Sequence, residues 1–242
     1  MFLYEIFEKA WKKPGGNIYL YSDPHFADPE MVKLRGDKYI VDAEQVARIN
    51  AKVSKNDTFV CLGDIGNPSF VKYIKAGYKV LIMGNHEKGA SNYKRKITEV
   101  ATFNTMDITD PADLYNLEPA KLEEKLMEVY TKYMKVKKID NGLFDEVYEG
   151  PLMINDRIIL SHEPIAVPDY MFNIHGHDHA NIETKDTVHH LNVCAEHIDY
   201  TPISLINFIK KGGLSKIQNI HRVTVDTATE RKQKRQLKNN KQ

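Results

Sequence analysis

The chain has 242 residues, of which 42% are hydrophobic and 28% are charged. A chain of this length and composition can bury a substantial core, which excludes a disordered protein and a small domain that depends on disulfide bonds. No apolar run approaches the roughly 18 residues of a membrane span. The mean hydropathy of -0.48 agrees, so the chain is expected to be a soluble protein with one elaborated domain and no membrane association.

Residues 1–16 predict an amphipathic helix in front of the main domain. Apolar residues recur with helical spacing between Phe2 and Trp11, and Pro14 and two glycines then end the pattern. We expect this helix to pack against the body of the protein, with a partner surface as the alternative.

The main domain is predicted over residues 17–215, and its first part alternates between strand and helix patterns. Strand-type runs cover 17–21, 58–62 and 79–83, and helical segments cover 42–53 and about 69–76. This alternation predicts a central sheet that is largely parallel or mixed. Each of the three strands ends in polar residues.

The segment at about 88–141 has a different pattern and predicts a helical insertion. Asp110 and Pro111 are typical of a helix start, and apolar residues between Leu122 and Met134 recur with helical spacing. Because the insertion follows the third group of polar residues, it is a candidate lid over a cleft.

Four more strands are expected between the insertion and residue 215. The first two cover 145–154 and 157–161 and are joined by a two-residue turn of asparagine and aspartate. The other two cover 171–174 and 190–194, and histidines stand within or directly after both.

The last segment, 216–242, is predicted to be a strand followed by a basic, disordered tail. It contains eight lysines and arginines against two acidic residues, so its local charge is +6. Two interpretations stay open: attraction to nucleic acid, and a plain solubilising terminus. The two cysteines, Cys61 and Cys194, lie in apolar strand-type runs. They are expected to be reduced core thiols of a cytoplasmic protein.

Side chains with oxygen or imidazole ligand atoms follow five of the predicted strands. They are Asp23 and His25, then Asp64, then Asn85, His86 and Glu87, then His162, and finally His177, Asp178 and His179. Carboxyl ends of neighbouring strands meet in one crevice, and burying so many polar groups without a cation would be costly. Mixed oxygen and imidazole ligands suit Mn, Fe, Zn, Co or Ni, and this number of ligands fits two metals better than one.

The order of these motifs resembles that of the calcineurin-like metallophosphoesterase superfamily, especially its small bacterial and phage members. The motifs are Asp-x-His at 23–25, Gly-Asp at 63–64, Gly-Asn-His-Glu at 84–87, a single histidine at 162 and Gly-His-x-His at 176–179. The resemblance covers roughly residues 17–210. It implies a four-layer αββα sandwich with two facing mixed sheets between helices.

The resemblance also implies a role for each motif residue. One metal would be bound by Asp23, His25 and His179 and the other by Asn85, His162 and His177, with Asp64 as the bridge. His86 would contact the phosphate and protonate the leaving oxygen or stabilise the transition state. Glu87 would orient His86. Arg35 is either a phosphate contact or a solvated loop arginine.

The implied activity is a dinuclear metal-dependent phosphoesterase. A metal-bridging hydroxide would attack a phosphodiester or phosphomonoester, on a nucleotide or another small phosphorylated substrate. Mn²⁺ is the expected metal, with Fe, Zn, Ni and Co as alternatives. A protein phosphatase is disfavoured because Ile65 and Met83 stand where such enzymes carry arginines. A nuclease aided by the basic tail, and a catalytically silent metal-binding scaffold, are the other hypotheses.

Overall fold

The structure is a computed structural model that describes residues 2–3, 11, 14–103, 118–124, 127, 134–179, 187–218 and 229–233. It divides into two units. The body comprises Met1–Lys94 with Leu143–Gln242, and the insertion unit comprises Arg95–Gly142.

Twelve strands are described. They are β1 (Phe2–Leu3), β2 (Ile18–Tyr21), β3 (Thr58–Cys61), β4 (Tyr78–Ile82), β5 (Ile97–Phe103), β6 (Met134–Asp140), β7 (Glu146–Tyr148), β8 (Leu152–Met153), β9 (Ile158–Leu160), β10 (Phe172–His175), β11 (His190–Asn192) and β12 (Ile203–Ser204). In the described part of the chain, α-helices cover Met31–Arg35, Asp42–Lys52 and Leu205–Lys210, and 3₁₀ helices cover Gly36–Lys38, Pro68–Tyr73 and Ala90–Asn92. The strands predicted at 17–21, 58–62, 79–83, 171–174 and 190–194 are confirmed, as is the helix predicted at 42–53.

The strands of the body form two mixed sheets. The first has the order β12-β2-β3-β4-β7 and is parallel except where β12 joins β2. The second has the order β1-β8-β9-β10-β11 and is parallel except between β8 and β9. In each sheet, parallel neighbours therefore bring their carboxyl ends to the same edge.

Apolar side chains from both sheets form one core. Leu20 and Val60 of the first sheet belong to the same buried cluster as Leu160 and Ile174 of the second. On the other face of the first sheet, Ile49 from the helix Asp42–Lys52 joins a second buried cluster. These layers agree with the predicted α/β sandwich of two facing sheets flanked by helices.

The single strand predicted at 145–154 is wrong, because this segment forms two strands in different sheets. β7 pairs with β4 in the first sheet, whereas β8 pairs with β9 in the second. Gly150 and Pro151 separate them, and proline cannot donate a backbone hydrogen bond to a ladder. The turn after β8 is confirmed, since the Asn155 side chain accepts hydrogen bonds from the backbone of Arg157 and Ile158.

The helix predicted over residues 1–16 is wrong at its start. Residues 2–3 form β1, which pairs in parallel with β8 at the edge of the second sheet. An edge strand offers unpaired backbone groups, and pairing with them overrides a helical pattern in the sequence. Trp11 is fully buried, and residues 4–10 lie outside the described residues.

The insertion unit is not helical at its ends. β5 and β6 pair in antiparallel register from Ile97 opposite Asp140 to Phe103 opposite Met134. β5 is rich in β-branched residues, which favour strands. Residues 119–124 are helical as predicted, and residues 104–117 lie outside the described part of the chain. In the C-terminal segment, residues 229–233 are helical, residues 216–218 are not a strand, and 219–228 and 234–242 are not described.

Within the described residues, no helix has the length and apolar character needed to cross a membrane. Cys61 and Cys194 are buried, free thiols, as their positions in apolar strand-type runs predicted.

Candidate metal centre

The predicted metal ligands lie together where strands of both sheets end. Asp23 and Asp64 follow β2 and β3 of the first sheet, and His162 and His177 follow β9 and β10 of the second. The two sheet edges are joined directly at Ser22, which forms an isolated parallel bridge with Cys194. The Ser22 amide donates to the Val193 carbonyl at 3.0 Å. Ligands from distant parts of the chain thereby share one edge.

A first cluster consists of Asp23, His25 and His179. One potential ligand atom from each residue lies within 4.8 Å of the other two. Oδ1 of Asp23 is 4.0 Å from Nε2 of His25 and 3.6 Å from Nε2 of His179. Ligand atoms bound to one first-row ion at about 2.1 Å are separated by roughly 3–4 Å, so this spacing fits a metal site.

A second cluster consists of Asp64, His162 and His177, whose potential ligand atoms likewise lie within 4.8 Å of one another. Nδ1 of His177 lies 3.1 Å from Nε2 of His162. The side-chain oxygen of Asn85 lies 2.8 Å from the same His162 nitrogen, so Asn85 is close enough to contribute to this cluster.

Asp64 of the second cluster also lies close to the first cluster. Its Oδ2 is 3.6 Å from Nε2 of His25 in the first cluster and 3.3 Å from Nε2 of His162 in the second. This position is what a bridging carboxylate requires. Two groups of aspartate and histidine that share one carboxylate fit a dinuclear metal centre.

Asp23 and His25 have buried polar atoms that a cation would satisfy. Oδ1 of Asp23 and Nε2 of His25 have no hydrogen-bond partner among the described residues. The other oxygen of Asp23 accepts hydrogen bonds from the His177 amide at 2.9 Å and the Cys194 thiol at 3.1 Å. Leaving buried polar groups unpaired is costly, so the donor set fits a metal ion at this position.

The backbone at four candidate ligands is left-handed. Asp23, His25, Asp64 and His177 have φ values of 55°, 46°, 51° and 68°. Such conformations are unfavourable for residues other than glycine and occur mainly at functional sites. Here each sharp turn directs a side chain from a strand end into the crevice.

Two motif glycines allow the ligands to approach the backbone. A Cβ atom at Gly84 would collide with the side chains of Asp64 and His162. A Cβ atom at Gly176 would collide with Ser22 and Asp23. The glycines of the sequence motifs are therefore required by close packing around the ligands.

The Glu87 carboxylate does not orient His86, and this part of the sequence-based expectation is corrected. Its oxygens accept hydrogen bonds from the backbone amides of Asp64, Ile65 and Gly84 at 2.9, 2.7 and 2.6 Å. Glu87 is buried, and a carboxylate so placed satisfies three amides that have left the strand ladders. It positions the loops after β3 and β4.

His86 lies at the open side of the site. Its side chain is 62% exposed, and its Nε2 is 3.8 Å from Oδ2 of Asp64. Its amide donates a hydrogen bond to the other oxygen of Asp64 at 3.1 Å. The imidazole is therefore next to the centre, where a substrate can reach it.

Arg35 is neither a solvated loop residue nor a residue directed at a phosphate. Both interpretations of Arg35 from the sequence are therefore wrong. It is buried, and its guanidinium donates to the backbone carbonyls of Asp23 and Pro24. A distant residue, Glu196, provides the carboxylate that pairs with it. The sequence pattern around Arg35 could not reveal these partners because they are tertiary contacts.

The imidazoles of the centre are oriented by partners that the sequence analysis missed. Nδ1 of His25 contacts Asp28 at 3.2 Å, and Nδ1 of His179 contacts Glu196 at 2.5 Å. Nδ1 of His162 contacts the Leu62 carbonyl at 2.8 Å. Such partners fix the tautomer of a ligating histidine and leave Nε2 for the metal. Asp28 offered a weak signal, since it lies three residues after His25.

Burial and neighbouring charges shift the pKa values of the centre. Burial lowers the pKa of His25, although Asp23 and Asp64 oppose this effect. Burial acts to lower the pKa of His162 too, but hydrogen bonding and charge from Asp64 raise it to about 9. Burial acts to raise the pKa of Asp64, yet its interactions with His162 bring it below the ordinary value. Asp64 is therefore an anion at neutral pH, as a metal ligand must be.

Comparison with known proteins identifies the family. A sequence profile described as calcineurin-like phosphoesterase matches residues 16–195, well over half of the chain. The chain belongs to the calcineurin-like phosphoesterase family. No curated protein matches this family member.

One solved structure similar to this calcineurin-like phosphoesterase is the crystal structure of AQ665, a protein of unknown function from Aquifex aeolicus. The TM-score is 0.50 and the sequence identity is 20%, covering 81% of this chain and 98% of that chain. At this identity the similarity shows the fold alone. Family membership and the two clusters together support a metal-dependent phosphoesterase.

Proposed function

We propose that this calcineurin-like phosphoesterase uses two divalent metal ions to hydrolyse esters of small phosphorylated compounds, including nucleotides. The observation that carries the proposal is the position of Asp64, whose Oδ2 lies within 3.6 Å of a histidine from each cluster. A carboxylate placed in this way can serve two ions at once.

The proposed ligands are those that the sequence motifs suggested. Asp23, His25 and His179 would bind one ion, Asn85, His162 and His177 the other, and Asp64 both. When bound, the ions would neutralise phosphate oxygens and supply an ionised water at neutral pH. Mn²⁺ is the proposed metal, with Fe, Zn, Ni and Co as the alternatives that the same ligands accept.

His86 is the proposed catalytic residue. Its exposed imidazole lies 3.8 Å from Asp64, so a phosphoester at the centre would come within its reach. Protonated, it would donate its Nε2 proton to the leaving oxygen. General acids of this kind accelerate reactions by about 10²–10⁴-fold.

A cavity next to the second cluster supports a small substrate. It has a volume of about 270 Å³, and Asn85 and His162 form part of its wall together with Glu149 and Glu163. Among the described residues, no lysine or arginine lines this cavity. A nucleic-acid backbone needs such cations along its path, so the cavity favours small esters over a polyanion.

The test is hydrolysis of bis-p-nitrophenyl phosphate beside p-nitrophenyl phosphate by metal-stripped protein titrated with Mn²⁺. We expect turnover that appears with the metal, and the ratio of the two rates reports diester or monoester preference. A variant truncated after residue 228, which keeps the buried Ile217 and removes six of the eight basic residues of the segment 216–242, should retain this turnover if the basic tail serves no substrate.

The control is Asp156→Ala, which alters an exposed aspartate in the turn after β8. It should keep full activity, whereas Asp64→Ala should lose it. Metal-loaded wild type that hydrolyses neither ester, nor a panel of nucleotides and sugar phosphates, would contradict the proposal and favour a binding role. Activity only on nucleic acid, lost with the tail, would favour the nuclease hypothesis.

A further inference from the structure

We infer that Arg35 and Glu196 are positioning residues that together align Asp23 and His179 to bind one metal ion. The inference rests on the proposed metal centre and concerns two side chains that are not themselves metal ligands. Each contacts a different ligand of the first cluster, and the two contact each other.

Glu196 controls the imidazole of His179. Its Oε1 lies 2.5 Å from Nδ1 of His179, so the carboxylate accepts a hydrogen bond from the Nδ1–H group and Nε2 keeps its lone pair for a metal ion. That Nε2 lies 3.6 Å from Oδ1 of Asp23. Without the carboxylate, the ring could rotate or carry its proton on the nitrogen that faces the metal.

Arg35 controls the turn that carries Asp23. Its Nη2 donates to the Asp23 carbonyl at 2.5 Å and its Nη1 to the Pro24 carbonyl at 3.4 Å. The turn contains the left-handed backbone of Asp23, which needs support from its surroundings. A guanidinium presents several donors in a fixed plane, so it contacts two carbonyls and a carboxylate at once, which lysine cannot do.

An ion pair joins Arg35, which supports the turn at Asp23, to Glu196, which orients His179. Nε of Arg35 lies 3.3 Å from Oε2 of Glu196, and the side chains are only 2% and 4% exposed. A buried ion pair can often be replaced by apolar residues without loss of stability. Its position between two ligands of one cluster therefore indicates a role in metal binding rather than in stability alone.

The second cluster is oriented in another way. Nδ1 of His162 contacts the Leu62 carbonyl instead of a carboxylate. Changes at Arg35 or Glu196 should therefore weaken one of the two bound ions and leave the other nearly unchanged.

The experiment is calorimetric titration of metal-stripped full-length protein with Mn²⁺. For Glu196→Gln we expect two sites, one with wild-type affinity and one weakened by about 10–100-fold. Arg35→Lys should weaken the same site, since it keeps the charge but loses the planar donors. The matched control is Glu146→Gln, because Glu146 also accepts hydrogen bonds from side chains, here Trp11, Tyr78 and Tyr148, none of which is a candidate ligand.

Glu196→Gln could fail to fold because it leaves the Arg35 charge unpaired. The double variant Arg35→Met with Glu196→Gln removes both charges, and thermal unfolding of its metal-free form verifies that it folds. A folded double variant with one weakened site supports positioning, whereas one with two wild-type sites overturns it.

The two proposals fail in different ways. If wild type binds two ions but hydrolyses no phosphoester, the proposed function fails and the positioning role can still be measured. If wild type is active and every variant binds two ions as tightly as wild type, only the positioning role fails.

Discussion

The two candidate metal clusters use the same kinds of ligand but support them differently. In the first, both imidazoles have a carboxylate behind them, Asp28 for His25 and Glu196 for His179. In the second, a peptide carbonyl lies behind His162. A carboxylate increases the basicity of a ligating histidine more than a neutral carbonyl does. We therefore expect the first cluster to retain its ion more tightly.

The largest effect should follow from removing the residue that the clusters share. Asp64→Ala should lower turnover by about a thousandfold or more, because the carboxylate contacts ligands of both clusters and its loss weakens both ions. Metal content after desalting, measured by mass spectrometry, should fall for both sites. A variant that keeps two ions would show that the clusters do not depend on a shared bridge.

The next effect concerns a residue outside both clusters. His86→Ala should reduce turnover by about 100-fold or more while two ions remain bound, because the imidazole would act on the substrate and not on the metal. Steady-state kinetics and metal analysis on one preparation test this. His189→Ala, which removes a histidine whose Nδ1 faces the Met171 carbonyl, is the control and should keep wild-type turnover.

Competition with a chelator measures the difference between the clusters directly. In wild type we expect two release steps separated by about 10–100-fold in affinity. His177→Ala should lack the weaker step, and His25→Ala should lack the tighter one. If His25→Ala keeps the tighter step, the order of the two clusters is reversed.

The smallest predicted effect is on stability. Glu87→Gln replaces a carboxylate that accepts three backbone hydrogen bonds by an amide with one accepting oxygen. The metal-free protein should lose about 1–3 kcal/mol in its free energy of unfolding, measured with urea. Glu149→Gln changes an exposed glutamate and should stay within about 0.5 kcal/mol of wild type.

The sequence predicted the centre better than it predicted the surroundings of the centre. Asp23, Asp64 and His162 each lie two or three residues after the end of a strand, and the carboxyl ends of neighbouring strands converge. The strand pattern was therefore enough to predict that these three side chains lie close together. The partners of Arg35 and Glu87 depend on tertiary contacts that no periodicity encodes. The division of 145–154 between two sheets also depends on which strand edges are available after folding.

The junction at Ser22 has a consequence for how the protein acquires its metals. Asp23 and His25 follow β2, and His179 follows β10, so the first cluster exists only after the two sheets have closed on each other. Strand pairs such as β1 with β8 join residues far apart in the chain, and such topologies fold slowly. During refolding, Mn²⁺ uptake should therefore appear together with burial of Trp11 and not before it. The test follows Trp11 fluorescence and Mn²⁺ binding together by stopped flow during refolding. Binding of Mn²⁺ in a phase earlier than the burial of Trp11 would contradict this order. Binding of Mn²⁺ to the first cluster would then indicate that the last long-range contacts between the two sheets have formed.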